Sequence, residues 1–178
     1  MNIYIEQLNE SLPTVKEIQD NFKRKAGKEL NDNQANAYRA GMVIVYEKEI
    51  EAKNEIEDLI LNTNLPFISI GSLNFKSVFE EIKGDLVQFA EYNDDIIKLC
   101  LSYKNNKIYI LNEDFNETEI AFEDYDLFKE FLTIYQNLYI RKVFRGEKLN
   151  KKEKERLKLL INKGVSFKVV QDLIGEII

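Results

Sequence analysis

Between Ile96 and Leu111 the side chains alternate. Ile97, Leu99, Leu101 and Tyr103 fall on one parity, Lys98, Cys100 and Ser102 on the other, and a second apolar run from Lys107 to Leu111 follows. Period-two alternation belongs to a strand with one buried face. The intervening Lys104-Asn105-Asn106 supplies residues that tolerate positive φ in a turn. The pattern predicts an antiparallel hairpin, and a lone hairpin is marginal in water, so further strands and a cover are needed. Leu86 to Phe89 before it and Thr118 to Phe122 after it extend it to a meander.

Helical spacing surrounds this sheet. Leu12, Val15, Ile18, Phe22 and Ala26 recur at helical intervals up to Gly27, with Ser11 and Thr14 as cap candidates. Asp32 is read as the N-cap of a long helix over 33–62, exposed along its Glu-rich second half. Phe75, Val78, Phe79 and Ile82 are read as a short helix stopped by Gly84. Two short strands are expected at Asn2 to Gln7 and Phe67 to Ile70. Asp124 or Asp126 caps a helix with Leu127, Phe128, Phe131, Leu132, Tyr135, Leu138 and Tyr139 on one stripe. Two helices then follow, over Lys151 to Asn162 and from Ser166 to Ile178, parted by Gly164. The fold class is α+β, an antiparallel meander sheet flanked by N-terminal helices and a C-terminal helical hairpin.

Charge divides the chain. Of 178 residues, 141–178 carry 11 Lys/Arg against 5 Asp/Glu, while 1–140 carry 14 against 26, a tail of +6 and a body of −12. Residues 1–140 are read as an acidic α+β body and 141–178 as a basic helical hairpin packed on it. The basic end either reaches for nucleic acid or docks on the body, leaving a negative surface for a basic partner.

Chemistry is constrained by what is missing. The chain has no His, so Ser-His-Asp and Cys-His machinery cannot be assembled within it. One cysteine, Cys100, is too few for a structural zinc site or an internal disulfide, and it is read as a structural thiol. The longest uninterrupted apolar run, Met42 to Tyr46, is far below the about 20 residues that cross a bilayer, and no secretion signal is visible, so a cytoplasmic protein is expected. Phosphate-cradling and nucleophile-elbow motifs are missing as well. No enzyme activity, cofactor or metal is expected.

Three motifs bear on chemistry. Asn112, Asp114, Asn116 and Glu123 occupy positions one, three, five and twelve of a Ca²⁺-binding loop, but Glu117 stands where the sharp turn needs Gly. Glu81-Ile82-Lys83 and Glu51-Ala52-Lys53 have the Glu-x-Lys spacing of metal-dependent nucleases, on segments read as helical, where the two side chains point apart. The ending resembles a helix-turn-helix. In that reading Ser166, Lys168 and Gln171 face bases while Lys151, Lys152, Lys154, Arg156 and Lys158 lie near phosphates.

Acidity peaks mid-chain, with 20 Asp/Glu against 8 Lys from Glu47 to Glu130. Such a field repels nucleic acid and steers a basic protein inward. The partner-binding candidates are Asp94, Asp95, Glu113, Asp114, Glu117, Glu119, Glu123, Asp124 and Asp126, with Tyr109 and Tyr125 as anchors. The stretch Lys107-Ile108-Tyr109-Ile110-Leu111 through Ile120-Ala121-Phe122 to Phe128-Lys129-Glu130-Phe131-Leu132 resembles the closing part of the SMI1/KNR4-like immunity fold, without that family's opening pattern. The expectation is a non-enzymatic inhibitor or immunity-type protein, for example from a phage or mobile element, occupying a basic surface of a nucleic-acid-handling protein. A DNA-binding regulator using the terminal hairpin is the alternative.

Overall fold

The computed structural model describes residues 3–92, 96–112 and 117–175. Five strands, β1 (Asn74–Lys83), β2 (Leu86–Tyr92), β3 (Ile97–Ser102), β4 (Ile108–Asn112) and β5 (Glu117–Phe122), pair antiparallel in sequence order. The hairpin at the centre lies as expected. Leu99 pairs with Ile110 and Leu101 with Ile108, and Asn106 takes φ 57° in the turn. Four helices precede the sheet, α1 (Ile3–Glu10), α2 (Val15–Ala26), α3 (Asp32–Ala40) and α4 (Glu55–Leu61). Three follow it, α5 (Tyr125–Ile140), α6 (Lys151–Lys163) and α7 (Phe167–Ile174). This is the α+β meander with helices leading and trailing.

The core forms where α5 crosses the sheet. Phe128 meets Phe89 of β2 and Phe122 of β5 edge-on at 5.4 and 5.2 Å, and Phe122 lies 5.4 Å from Phe131. All four rings are fully buried. Edge-to-face packing aligns the positive ring rim with the negative face, so these phenylalanines fix the angle of α5 as well as burying area. A second, smaller cluster joins Leu12, Ile18 and Ala35 to Ile140 and Phe144, where α5 runs into a π-turn (Arg141–Arg145).

Here tail meets body through charge. Glu17 of α2 receives the Arg145 Nε–H at 2.6 Å, and this hydrogen bond, together with those from Thr14, holds the Glu17 carboxyl below the usual glutamate range. A depressed folded-state pKa adds stability above the unfolded pKa and loses it as pH falls through the folded value. Glu17→Gln is therefore expected to lower the urea midpoint near neutrality. The gap to the unmodified chain should close as pH falls below the ordinary glutamate range, in paired denaturation curves at pH 7 and pH 3.

Four segments depart from expectation. Residues 3–10 form a helix because burial follows Ile5 and Leu8, three apart, while Ile3 is 71% exposed. The long helix over 33–62 does not exist: α3 stops at Gly41, and α4 starts afresh at Asn54, whose side chain accepts from the Ile56 and Glu57 amides. Phe67–Ile70 is no strand, since a single turn of 3-10 helix ends at Phe67 and Ile70 makes only an isolated bridge to Leu73. Phe75 to Ile82 is strand β1, not helix. Its register against β2 slips between Phe75 and Glu80, and extra residues there erase the two-residue period that marks a strand.

The C-terminal hairpin closes the sheet. Val165, between α6 and α7, bridges Phe122 on the outer side of β5. The Ser166 amide donates to the Ala121 carbonyl at 2.8 Å, and the Glu123 amide to the Gly164 carbonyl at 3.2 Å. An exposed strand edge invites pairing with other chains, and here the turn covers it. Leu157, Leu160, Val169 and Val170 join the main core from the two helices.

Candidate functional site

Residues 43–50 connect α3 to α4 with a single isolated bridge, Tyr46 to Thr63, beside them, and three asparagine side chains supply what a strand would. Asn9 donates its amide to the Ile44 carbonyl (2.7 Å) and accepts from the Ile44 amide (2.8 Å). Asn64 does the same across two residues, donating to the Val43 carbonyl (3.0 Å) and accepting from the Val45 amide (2.9 Å). Asn62 accepts from the Ile50 amide at 2.6 Å and donates to the Ile50 carbonyl at 2.8 Å and to Asp58 at 2.9 Å. A carboxamide has the same donor and acceptor as a peptide group, so each asparagine acts as one residue of a partner strand. Backbone bonds from the Glu47 amide to the Asn62 carbonyl (2.8 Å) and from the Asn64 amide to the Val45 carbonyl (3.1 Å) complete the clamp.

Ile44 is buried beneath the clamp, and from Val45 on the side chains of the strap are exposed. Val45, Tyr46 and Ile50 are 42%, 44% and 46% exposed, and Glu47, Glu49 and Glu51 stand exposed between them. Among the described residues no cation pairs with these three carboxylates. The strap borders an open hollow of ≈ 870 Å³, with Asp58 and Asn62 on its floor, and Tyr46 donates its hydroxyl to Asp58 at 2.8 Å. Its far end is tied to the hairpin, where the Lys53 ammonium lies 4.4 Å from the centre of the Tyr103 ring and the Lys53 amide donates to buried Glu57 at 2.7 Å.

Asn62 is the clamp that is itself buried, and removing its amide leaves the Ile50 groups without partners. Asn62→Ala is expected to cost about 1 to 3 kcal/mol. Native-state hydrogen exchange should show the amides of 47–50 opening far more readily than those of β3. Unchanged exchange there would mean that the clamp does not hold the strap.

The sequence pointed elsewhere for the acidic site. Asp94, Asp95, Glu113 and Asp114 lie outside the described residues, as do Phe115 and Asn116. Glu117 and Glu119 both face Lys168 of α7, at 3.6 and 3.5 Å. Glu123 pairs with Lys107, and Asp126 with Lys129 at 2.9 Å. Asp124 is exposed but engaged as the N-cap of α5, accepting from the Leu127 amide at 2.8 Å. Tyr125 is buried with its hydroxyl on the Ser102 carbonyl, so it cannot serve as an exposed anchor. Tyr109 is half-buried and accepts from Asn105 at 2.8 Å. The described members fall at both ends of β5, Glu117 and Glu119 beside the end of β4 and Glu123, Asp124 and Asp126 beyond Phe122, and most are already committed within the chain.

The terminal hairpin is similarly committed. Lys168 points at Glu117 and Glu119, Ser166 gives its amide to β5, and Gln171 is exposed on α7. Tyr92 lies 3.4 Å from Asp172 of the same helix, and burial, with that carboxylate beside it, pushes the Tyr92 phenol far up. On α6, Arg156 reaches Glu130 at 3.6 Å and Lys151 reaches Glu155 at 3.9 Å, while Lys152 and Lys158 are exposed and Lys154 is half-buried.

The motif readings resolve on geometry. Glu81 and Lys83 are on strand β1, not a helix, and Glu51 and Lys53 follow the strap. Among the described residues no group of three Asp, Glu, Cys or His side chains is arranged to hold a metal ion. Asn112, first position of the Ca²⁺-loop frame, ends β4 as a buried side chain. Cys100 is fully buried on β3. Among the described residues no helix is long and apolar enough to cross a membrane.

No family model matches the chain, and neither a curated protein nor a solved structure matches it.

The strap carboxylates were legible only as part of the acidic count, because their segment was read as helix. Two signals oppose that reading. Gly41 is followed by the β-branched run Val43-Ile44-Val45, which helices disfavour. Glu47 and Glu51 would also repel at helical i,i+4 spacing.

Proposed function

We propose that this chain is a non-enzymatic protein-binding module that acts by occupying a basic surface of a partner. It would work in the manner of an immunity-type protein, or of a phage or mobile-element inhibitor of a nucleic-acid-handling enzyme. What supports this reading most is the asparagine-clamped strap, where Glu47, Glu49 and Glu51 stand exposed around Lys48 with no ion-pair partner among the described residues, beside exposed Tyr46 and Ile50. Uncompensated carboxylates steer a basic partner and set its orientation. Apolar and aromatic anchors at the centre of a charged patch supply the affinity that exposed charge alone does not. A strap fixed before encounter loses little conformational entropy on binding. The reading moves the partner surface from the strand ends around Glu117 to Asp126, where charges are internally paired, to the segment between α3 and α4.

The test is affinity capture from a lysate of the source organism with three baits. These are the unmodified chain, a strap variant (Glu47→Gln, Glu49→Gln, Glu51→Gln), and a tail variant (Lys151→Gln, Lys152→Gln, Lys158→Gln). The expected result is a basic protein recovered equally by the first and third baits and at least tenfold less by the strap variant, with recovery falling as salt rises. Equal recovery by all three baits, or no basic protein at all, would remove the support for this reading.

A further inference from the structure

A cleft of ≈ 430 Å³ separates the end of α5 from the C-terminal hairpin, bounded by Tyr135 and Tyr139 on one side and by the end of α7 at Gly175 on the other. Its volume falls in the range of small-molecule sites. Leu138, Leu149, Leu173 and Ile174 line it, each only partly buried against the main core. Apolar surface therefore remains for a ligand to cover.

The rest of the lining is charged, and the charge is one-sided. Arg141, Lys142, Lys148 and Lys154 line the cleft with Glu147 as the single carboxylate among the described residues. Glu147 is committed to Arg141, accepting its Nε–H at 2.6 Å, and Glu153 takes a second bond from the same guanidinium. Lys142, Lys148 and Lys154 are left with no carboxylate partner among the described residues. A cleft with four aliphatic side chains inside and three uncompensated ammonium groups at its wall is complementary to one kind of molecule. That molecule carries an anionic head on an aliphatic body.

We infer that the cleft between α5 and the C-terminal hairpin binds an amphiphilic carboxylate, its head among Lys142, Lys148 and Lys154 and its tail on Leu138, Leu149, Leu173 and Ile174. The site is separate from the strap, and the inference does not rest on the function proposed above. Burial of the tail supplies the bulk of the affinity, in proportion to apolar area removed from water. The lysines choose the sign of the head.

Decanoate is the probe, titrated below its micellar range into the full chain by calorimetry, with decyltrimethylammonium as the control of equal tail and opposite head and acetate as the control without a tail. Saturable binding of one decanoate per chain is expected, at least tenfold tighter than decyltrimethylammonium, with no heat from acetate. Backbone amide shifts should concentrate at Leu138 and Leu173. The variant Lys142→Gln, Lys148→Gln, Lys154→Gln, checked for an unchanged circular dichroism spectrum, should lose at least tenfold for decanoate and little for decyltrimethylammonium. Equal binding of both heads, decanoate binding unchanged in that variant, or no saturable binding would overturn the inference.

Discussion

Phe128→Ala is expected to lower the unfolding free energy by about 3 to 5 kcal/mol, the range for deleting a fully buried phenylalanine side chain. Phe128 sits where it touches both Phe89 and Phe122 edge-on. The substitution therefore removes two aromatic contacts, each worth about 0.5 to 1.5 kcal/mol beyond burial, and opens a cavity between β2, β5 and α5. The expected loss is a large share of the roughly 5 to 15 kcal/mol that holds a typical domain. Urea denaturation followed by circular dichroism reads it directly. Phe128→Leu, which keeps much of the volume, should recover a large part of the difference. A loss for Phe128→Ala below about 1 kcal/mol would place the site among surface positions and would contradict the packing of α5 on the sheet.

Gly164→Ala is expected to cost about 2 to 4 kcal/mol, from backbone strain of about 1 to 3 kcal/mol plus the displacement of a packed neighbour. Gly164 has φ 119°, and a Cβ built on it would lie 2.8 Å from the Glu123 Cβ. The neighbour cannot move away freely, because the Glu123 amide is hydrogen-bonded to the Gly164 carbonyl itself. Gly27 is the natural control: its φ is 63°, and a Cβ there meets nothing within 4 Å. Gly27→Ala should therefore cost only the left-handed backbone penalty, about 1 to 2 kcal/mol. The excess at Gly164 measures how tightly the turn between α6 and α7 is pressed against β5. Equal costs at the two sites would mean that the hairpin is only loosely attached.

That turn bears on the charge asymmetry. A basic tail on an acidic body is compatible with either a nucleic-acid arm or an internal dock. Arg145 on Glu17, Arg156 and Lys163 near Glu130, and Lys168 between Glu117 and Glu119 bring the opposite charges together across the two segments. Exposed pairs of this kind add little stability individually. Their effect is on the field: they offset carboxylates of the body, Glu117 and Glu119 among them, while Glu47, Glu49 and Glu51 of the strap have no ion-pair partner among the described residues.

How much was legible follows from where local pattern and tertiary packing agree. The β3–β4 hairpin and α5 were readable because clean alternation, an Asn-rich turn, an Asp cap and a wide apolar stripe all point the same way. Strand β1 was misread because its register slip spaces Phe75, Val78, Phe79 and Ile82 like a helix. The strap was misread for a different reason. Its hydrogen bonds come from Asn9, Asn62 and Asn64, residues as far as 35 positions away, and no local propensity encodes a side chain acting as a strand. The sequence reading therefore found the acidity without the strap, and of the carboxylates it singled out Glu117, Glu119, Glu123 and Asp126 are paired with lysines.

In the function we propose, the partner docks on the strap while the C-terminal hairpin stays bound to the body. Hydrogen exchange of the chain with and without the captured basic protein tests it most directly. The prediction is slower exchange confined to the amides of 45–51 and the start of α4, with α6 and α7 unchanged. Protection concentrated on α6 and α7, with the strap unaffected, would contradict it.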